Sequence, residues 1–166
     1  MSDLPKSIEI TVIGTIRTPY LEIGNMPIQS AGTGTVSSGV VELFPEYVEG
    51  LLDLEAFSHV ILLYNFHQQK GHSLKVIPFM DTCEHGVFAT RSPKRPAHIG
   101  MSTVKIEKIE DNKIYFEGAD MLDGTPLFDI KPFFRQFDNR SDARSGWLDE
   151  QDQSLLKNVR SDKRFQ

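Results

Sequence analysis

The sequence predicts a mainly β protein: a small, mostly antiparallel β-barrel with a few short helices and a C-terminal helical tail. Three observations carry this. Apolar and β-branched residues fall into many short runs of strand length, turn-forming residues recur between the runs, and few segments have helical character. That combination favours an antiparallel barrel over a doubly wound sheet, because closing the barrel removes the exposed edges a short-stranded sheet would leave.

Taken in order, residues 8–16 are rich in β-branched side chains and end at Thr18-Pro19, where proline removes a ladder donor; they read as a first strand and a turn. Residues 20–38 hold Gly24, Pro27, Gly32 and Gly34 and read as a long loop, a length that suggests a binding element. Residues 39–44 form the next expected strand. Pro45-Glu46-Tyr47-Val48-Glu49-Gly50-Leu51-Leu52 then starts with a helix-initiating proline and early acidic residues, so a short helix follows. The nearly continuous apolar run 60–66, ended by His67-Gln68-Gln69, reads as a central strand. Residues 74–79 and 87–90 are expected as shorter strands around a polar segment containing Cys83 and His85. Residues 99–109 and 114–116 are expected to pair as a hairpin across Glu110-Asp111-Asn112-Lys113, with Val104, Ile106 and Ile109 pointing inward. Residues 127–130 follow the Asp123-Gly124-Thr125-Pro126 turn as a further strand. The expected division is a barrel domain over 1–138 and a polar tail over 139–166, in which Trp147, Leu148, Leu155, Leu156 and Val159 form one face of a helix that docks on the body or on a partner.

Composition bounds the function. A chain of 166 residues with 39% hydrophobic residues and eleven Phe supports one folded domain. No apolar run approaches the roughly 20 residues that span a bilayer, and the N-terminus lacks a secretory pattern, so the expectation is a cytoplasmic protein without a membrane partner. The single Cys83 excludes an intrachain disulfide, and Cys83 with His85 supplies too few ligands for a structural metal site. A net charge of −5 argues against gripping nucleic acid with the whole surface, and no DNA partner is expected. Local basic patches remain at Arg91, Lys94, Arg95 and His98, and at Lys131, Arg135, Arg140 and Arg144.

The usual nucleophile elbow, phosphate loop and zinc helix are missing, as is the glycine-rich turn that holds adenosine cofactors on doubly wound sheets. The most unusual segment runs from Phe88 to Ser102. Arg91 and Arg95 offer planar donor forks for carboxylate or phosphate, while Pro93 and Pro96 stiffen the loop; a merely solvated charged loop has the same composition. His67 and Gln68 stand where a buried strand emerges and can hydrogen-bond an adenine edge or a ribose, or serve structure alone. Asp123, Gly124 and Thr125 can bind a polar ligand or simply form a turn.

Met26-Pro27-Ile28-Gln29, Phe57-Ser58-His59, Phe66-His67-Gln68, Phe88-Ala89-Thr90-Arg91-Ser92-Pro93 with Arg95-Pro96, Ile99-Gly100-Met101-Ser102 and Asp123-Gly124-Thr125-Pro126 with Asp129-Ile130-Lys131-Pro132 together resemble the TrmO family, also called TsaA-like or YaeB-like. The resemblance implies a dimeric barrel that binds S-adenosyl-L-methionine near the subunit interface. It implies methylation of the exocyclic nitrogen of threonylcarbamoyl-adenosine beside the tRNA anticodon. By motif, cofactor contacts fall on Pro27, Ile28, Gln29, His67, Gln68, Arg91, Met101, Asp123, Gly124, Thr125 and Pro126, and the candidates for a catalytic role are Arg91, Arg95 and His67; no base is assigned. Two departures stand out. Ala97-His98 replaces the Asn-Pro common in the family, and only residues 139–166 follow the barrel where longer bacterial members carry a further domain. Two other functions compete with tRNA methylation: a non-catalytic module that senses an adenosine-type metabolite through a partner, and a small-molecule methyltransferase.

Overall fold

The computed structural model describes residues 5–24, 26–28, 37–152, 159–162 and 164. Six strands, β1 (Gly14–Arg17), β2 (Ser38–Leu43), β3 (His59–Asn65), β6 (Ile99–Glu110), β7 (Lys113–Glu117) and β8 (Thr125–Pro132), close a barrel in the order β1-β2-β7-β6-β3-β8. Every neighbouring pair is antiparallel. The expected architecture is therefore present, and the period-two burial of β3 and β7 shows why: alternate side chains enter the barrel. Ile16, Val41, Val60, Leu62, Ile114, Phe116 and Leu127 have no solvent-exposed surface and form the packed interior. Each such side chain contributes about 1.5–3 kcal/mol relative to leaving it in water.

The hairpin between β6 and β7 turns through Asp111 and Asn112, with Asp111 at φ 52°, the left-handed conformation a tight turn demands. Asn112 also donates its side-chain Nδ2 to Leu43 O at 2.7 Å, tying the turn to the end of β2. Val104 is buried, whereas Ile106 and Ile109 are only partly so, because the pairing shifts register between Ile106 and Lys108. Pro45 opens the expected helix, which is a 3-10 helix over Pro45–Leu51.

Four expectations are corrected. The first strand begins at Gly14 and not at residue 8; Ile8 and Ile10 are exposed, since only Gly14–Arg17 meet β2 and β8. The strand expected over 74–79 shrinks to β4 (Lys75–Val76), which pairs only with β5 (His85–Gly86) in a small separate sheet. The strand expected over 87–90 is a single 3-10 turn, Val87–Ala89, closed by the Thr90 hydroxyl donating to Val87 O at 2.9 Å. No continuous helix joins Trp147 to Val159: α1 (Arg135–Asp138) precedes the tail, a 3-10 turn, Gly146–Glu150, is the tail's helical piece among the described residues, and Leu155 and Leu156 lie outside the described residues.

Candidate functional site

The antiparallel pairing of β3 with β6 places the C-terminal end of one beside the N-terminal end of the other, Tyr64 opposite Gly100 and Asn65 opposite Ile99. A register shift in the β3–β8 pairing falls at Leu63/Tyr64, at the same rim. A cavity of about 1080 Å³ opens there. Its walls come from the ends of β3, β6 and β8, the segments 66–69, 78–80 and 88–95, the described part of the 20–38 loop, and the tail.

Most residues singled out in the sequence meet in this one place. Pro27, Ile28, His67, Gln68, Arg91, Arg95, Met101 and Thr125 all line the cavity. His67 and Thr125, 58 positions apart, approach through Nδ1 and Oγ1 at 3.4 Å, while the Thr125 hydroxyl donates to Leu122 O at 2.7 Å. Arg95 Nη1 donates to Thr90 O at 2.9 Å and Ser92 O at 3.2 Å, bracing the loop from inside. Gln29 lies outside the described residues.

Asp123, Gly124 and Pro126 do not line the cavity. The Asp123 carboxylate accepts the N–H of Thr18 at 3.1 Å and pairs with Arg17 at 3.5 Å, so it faces the β1 side. Gly124 adopts φ 76° and donates its N–H to Ile16 O at 2.9 Å, a turn role that glycine fills without strain. Pro126 alternates with the inward Thr125 along β8 and therefore points to the other face.

The central loop is held against residues 66–73. His98 O accepts the N–H of Phe66 at 2.8 Å, Lys94 O accepts that of Ser73 at 3.0 Å, and the His98 imidazole Nε2 bonds Gly71 O at 2.6 Å. His98 itself has φ 49° and donates its N–H to Arg95 O at 3.2 Å. Proline can do neither, so the departure from Asn-Pro at this position changes the backbone and not only the side chain.

A second cluster was not singled out from the sequence. Tyr64, 3% exposed, places its hydroxyl 2.9 Å from Ser102 Oγ, and Ser102 Oγ donates to Asp120 Oδ1 at 2.6 Å. Because the serine proton goes to the carboxylate, Tyr64 donates to the serine. Burial pushes the Tyr64 phenol well above its ordinary value, the Asp120 charge adds to this, and Arg91 acts in the opposite direction. Tyr64 is therefore a fixed donor, and Asp120 is a carboxylate on the cavity wall with Arg91 near enough to feel the same hydroxyl. The signal for this cluster was a tyrosine and a serine at inward positions of paired strands, where buried polar atoms require partners.

The tail completes the wall. Trp147 Nε1 donates to Ala89 O at 2.8 Å, Ser161 exchanges backbone and side-chain bonds with Met26 at 2.8 Å each, and Arg164 Nη1 donates to Pro78 O at 2.7 Å. Ser145, Trp147, Leu148 and Ser161 all border the cavity. Among the described residues, Gln69 Oε1, also on this wall, is the one buried side-chain polar atom without a hydrogen-bond partner. No described helix is long and apolar enough to cross a membrane.

Residues 15–139 match the family described as the tRNA-methyltransferase O N-terminal domain. A protein of Pyrococcus abyssi named as a probable S-adenosyl-L-methionine-binding protein is 46% identical over 98% of this chain and 87% of its own length. The human tRNA (adenine(37)-N6)-methyltransferase is 44% identical over 57% of this chain and 22% of its own. A crystal structure of TrmO from Pseudomonas aeruginosa superposes with a TM-score of 0.72 at 38% identity, covering 89% of this chain and 64% of that one, so the chain spans less than two thirds of that relative. With the closed barrel in place and the family model matched over residues 15–139, the chain belongs to the tRNA-methyltransferase O (TrmO) family.

Proposed function

We propose that this protein is an S-adenosyl-L-methionine-dependent methyltransferase acting in the cytoplasm on the exocyclic nitrogen of threonylcarbamoyl-adenosine beside the tRNA anticodon. The observation that carries the reading is the convergence of Arg91, His67, Gln68 and the Asp120 carboxylate on one cavity of a barrel that matches the family over residues 15–139. The cavity suits the cofactor: Pro27, Ile28 and Met101 offer apolar surface to an adenine, and Gln69 Oε1 lacks a donor. Bound cofactor supplies an electrophilic methyl group on a sulfonium centre. His67 and Gln68 would hydrogen-bond its adenosine, and Arg91 would hold a carboxylate, either the cofactor's or the threonyl group's.

Asp120 is the group this reading assigns to the proton. At the acceptor nitrogen, the Asp120 carboxylate would accept the one proton released when that nitrogen takes up the methyl group the bound cofactor would supply. Ser102 and Tyr64 hold that carboxylate in orientation. The cavity walls would align the reacting atoms. The exposed Phe88, Ile99 and Met101 at the cavity mouth support a homodimer that covers them.

Titration calorimetry with the cofactor, followed by transfer of a labelled methyl group to threonylcarbamoylated tRNA, tests this. Binding followed by transfer is expected, with Arg91→Ala losing at least tenfold in kcat/KM. Cofactor binding without transfer to any tRNA would overturn the methyltransferase reading in favour of a sensing module. Transfer to a small molecule, indifferent to tRNA, would overturn the substrate.

A further inference from the structure

Trp147 is the only tryptophan in the chain, and it is held unusually well for a residue beyond the barrel. Its ring stacks on His85 with centroids 4.8 Å apart and planes inclined by 21°, and its Nε1 is fixed on Ala89 O at 2.8 Å. His85 is fixed in turn: its Nε2 donates to Asp81 Oδ2 at 2.7 Å, while Asp81 Oδ1 accepts the N–H groups of Thr82 and Cys83 at 2.6 and 3.2 Å. Trp147 borders the cavity and His85 does not. A flat ring locked from behind and along its edge is pre-organised to receive another flat ring.

The cavity is large enough for this. Its volume of about 1080 Å³ stands at the top of the roughly 300–1,000 Å³ range typical of small-molecule pockets. The segment leading to Trp147 carries Arg135, Arg140 and Arg144, all exposed, with Asp138 and Asp142 between them. Arginines and an aromatic ring on one segment are the composition that binds unpaired nucleotides, with phosphates on the cations and the base on the ring.

We propose that the Trp147 indole is the platform on which the purine of the target nucleotide stacks once it leaves the anticodon loop, with His85 and Asp81 as positioning residues behind it. The proposal rests on the tRNA-methyltransferase reading for the identity of the nucleotide. The adenine of the cofactor has the same chemistry, and the test separates the two sources.

Because no other tryptophan is present, indole emission reports this site directly. The full-length protein is titrated with S-adenosylhomocysteine alone, and then, saturated with it, with an anticodon stem-loop carrying threonylcarbamoyl-adenosine. Quenching is expected only in the second arm. Trp147→Ala is expected to raise KM for tRNA by about 5- to 150-fold, the span that stacking one base is worth, while the calorimetric cofactor Kd stays within about twofold. Trp147→Phe keeps a ring and is expected to recover most of the loss, and His85→Ala to raise KM for tRNA without changing kcat. Quenching by S-adenosylhomocysteine alone, with Trp147→Ala weakening calorimetric cofactor binding by as much as it raises KM for tRNA, would overturn the proposal in favour of a cofactor platform. Unchanged tRNA KM in Trp147→Ala would overturn it outright, with wild-type methyl transfer still standing. Quenching by the stem-loop in a wild-type protein that transfers no methyl would keep the platform and sink the activity instead.

Discussion

Replacing Tyr64 and Ser102 singly and together tests the buried hydrogen-bond chain beneath the candidate site. Tyr64→Phe removes one neutral bond and leaves Ser102 on its carboxylate, so the loss is about 0.5–1.5 kcal/mol. Ser102→Ala is worse in two ways. It removes a bond to a charged acceptor, about 1.5–3 kcal/mol, and it strands the hydroxyl of a tyrosine that is 3% exposed, which adds roughly 1–3 kcal/mol. In the double variant the stranded hydroxyl no longer exists. The double variant is therefore expected to be no less stable than Ser102→Ala alone, a departure from additivity of about 1–2 kcal/mol. Urea unfolding reads this as a midpoint difference on the order of 0.5–1 M for an m-value of about 2 kcal/mol/M. Losses that add within about 0.5 kcal/mol would show that the three side chains are not coupled and would refute the chain.

Gly100→Ala is expected to lower the urea midpoint by the equivalent of about 1–3 kcal/mol and to reduce methyl transfer with it, because an added Cβ would stand 2.2 Å from Tyr64 Cε2 and drive the ring off Ser102. A normal midpoint would place slack at the rim that the packing denies. The Asp81 carboxyl is held below its ordinary value by its bond to His85, aided by the N–H groups of Thr82 and Cys83. A lowered folded-state value means a contribution present above the unfolded value and lost as pH falls through the lowered one, so the stability difference between wild type and Asp81→Asn is expected to hold from neutral pH down to about 4 and to shrink below it. A difference that instead grows on acidification would reverse the assigned sign. Asp120→Asn is expected to leave the calorimetric cofactor Kd within a few-fold and to lower kcat at least 100-fold, the usual reach of a positioned base; a kcat within twofold of wild type would remove Asp120 from the chemistry.

The barrel was legible because its information is local. β3 announces itself by an apolar run, the β6–β7 hairpin by alternating residues around Asp111-Asn112, and the 3-10 helix at Pro45 by its proline and acidic first turn. Val87-Phe88-Ala89-Thr90 misled because β-branched and aromatic residues fit a strand or a single turn equally, and only the Thr90 hydroxyl closing onto Val87 O decides between them. The motif residues on the cavity could be collected from the resemblance, yet Asp123, Gly124 and Pro126 lie one pleat or one turn away from it, a distinction set by strand phase. Tyr64, Ser102 and Asp120 were hidden for the opposite reason. They are 38 and 18 positions apart, and only barrel closure brings them to one hydrogen-bond chain. The tail's contribution was hidden in the same way, since Trp147 meets Ala89 across 58 positions of sequence.

The most direct measurement incubates the purified protein and S-adenosyl-L-methionine with two tRNA preparations, one carrying threonylcarbamoyl-adenosine beside the anticodon and one lacking only that modification, and analyses the digested nucleosides by mass spectrometry. The account predicts that threonylcarbamoyl-adenosine gains one methyl group, on its exocyclic nitrogen, and that the unmodified tRNA gains none. Equal methylation of both, or a methyl group on any other nucleoside, would contradict it.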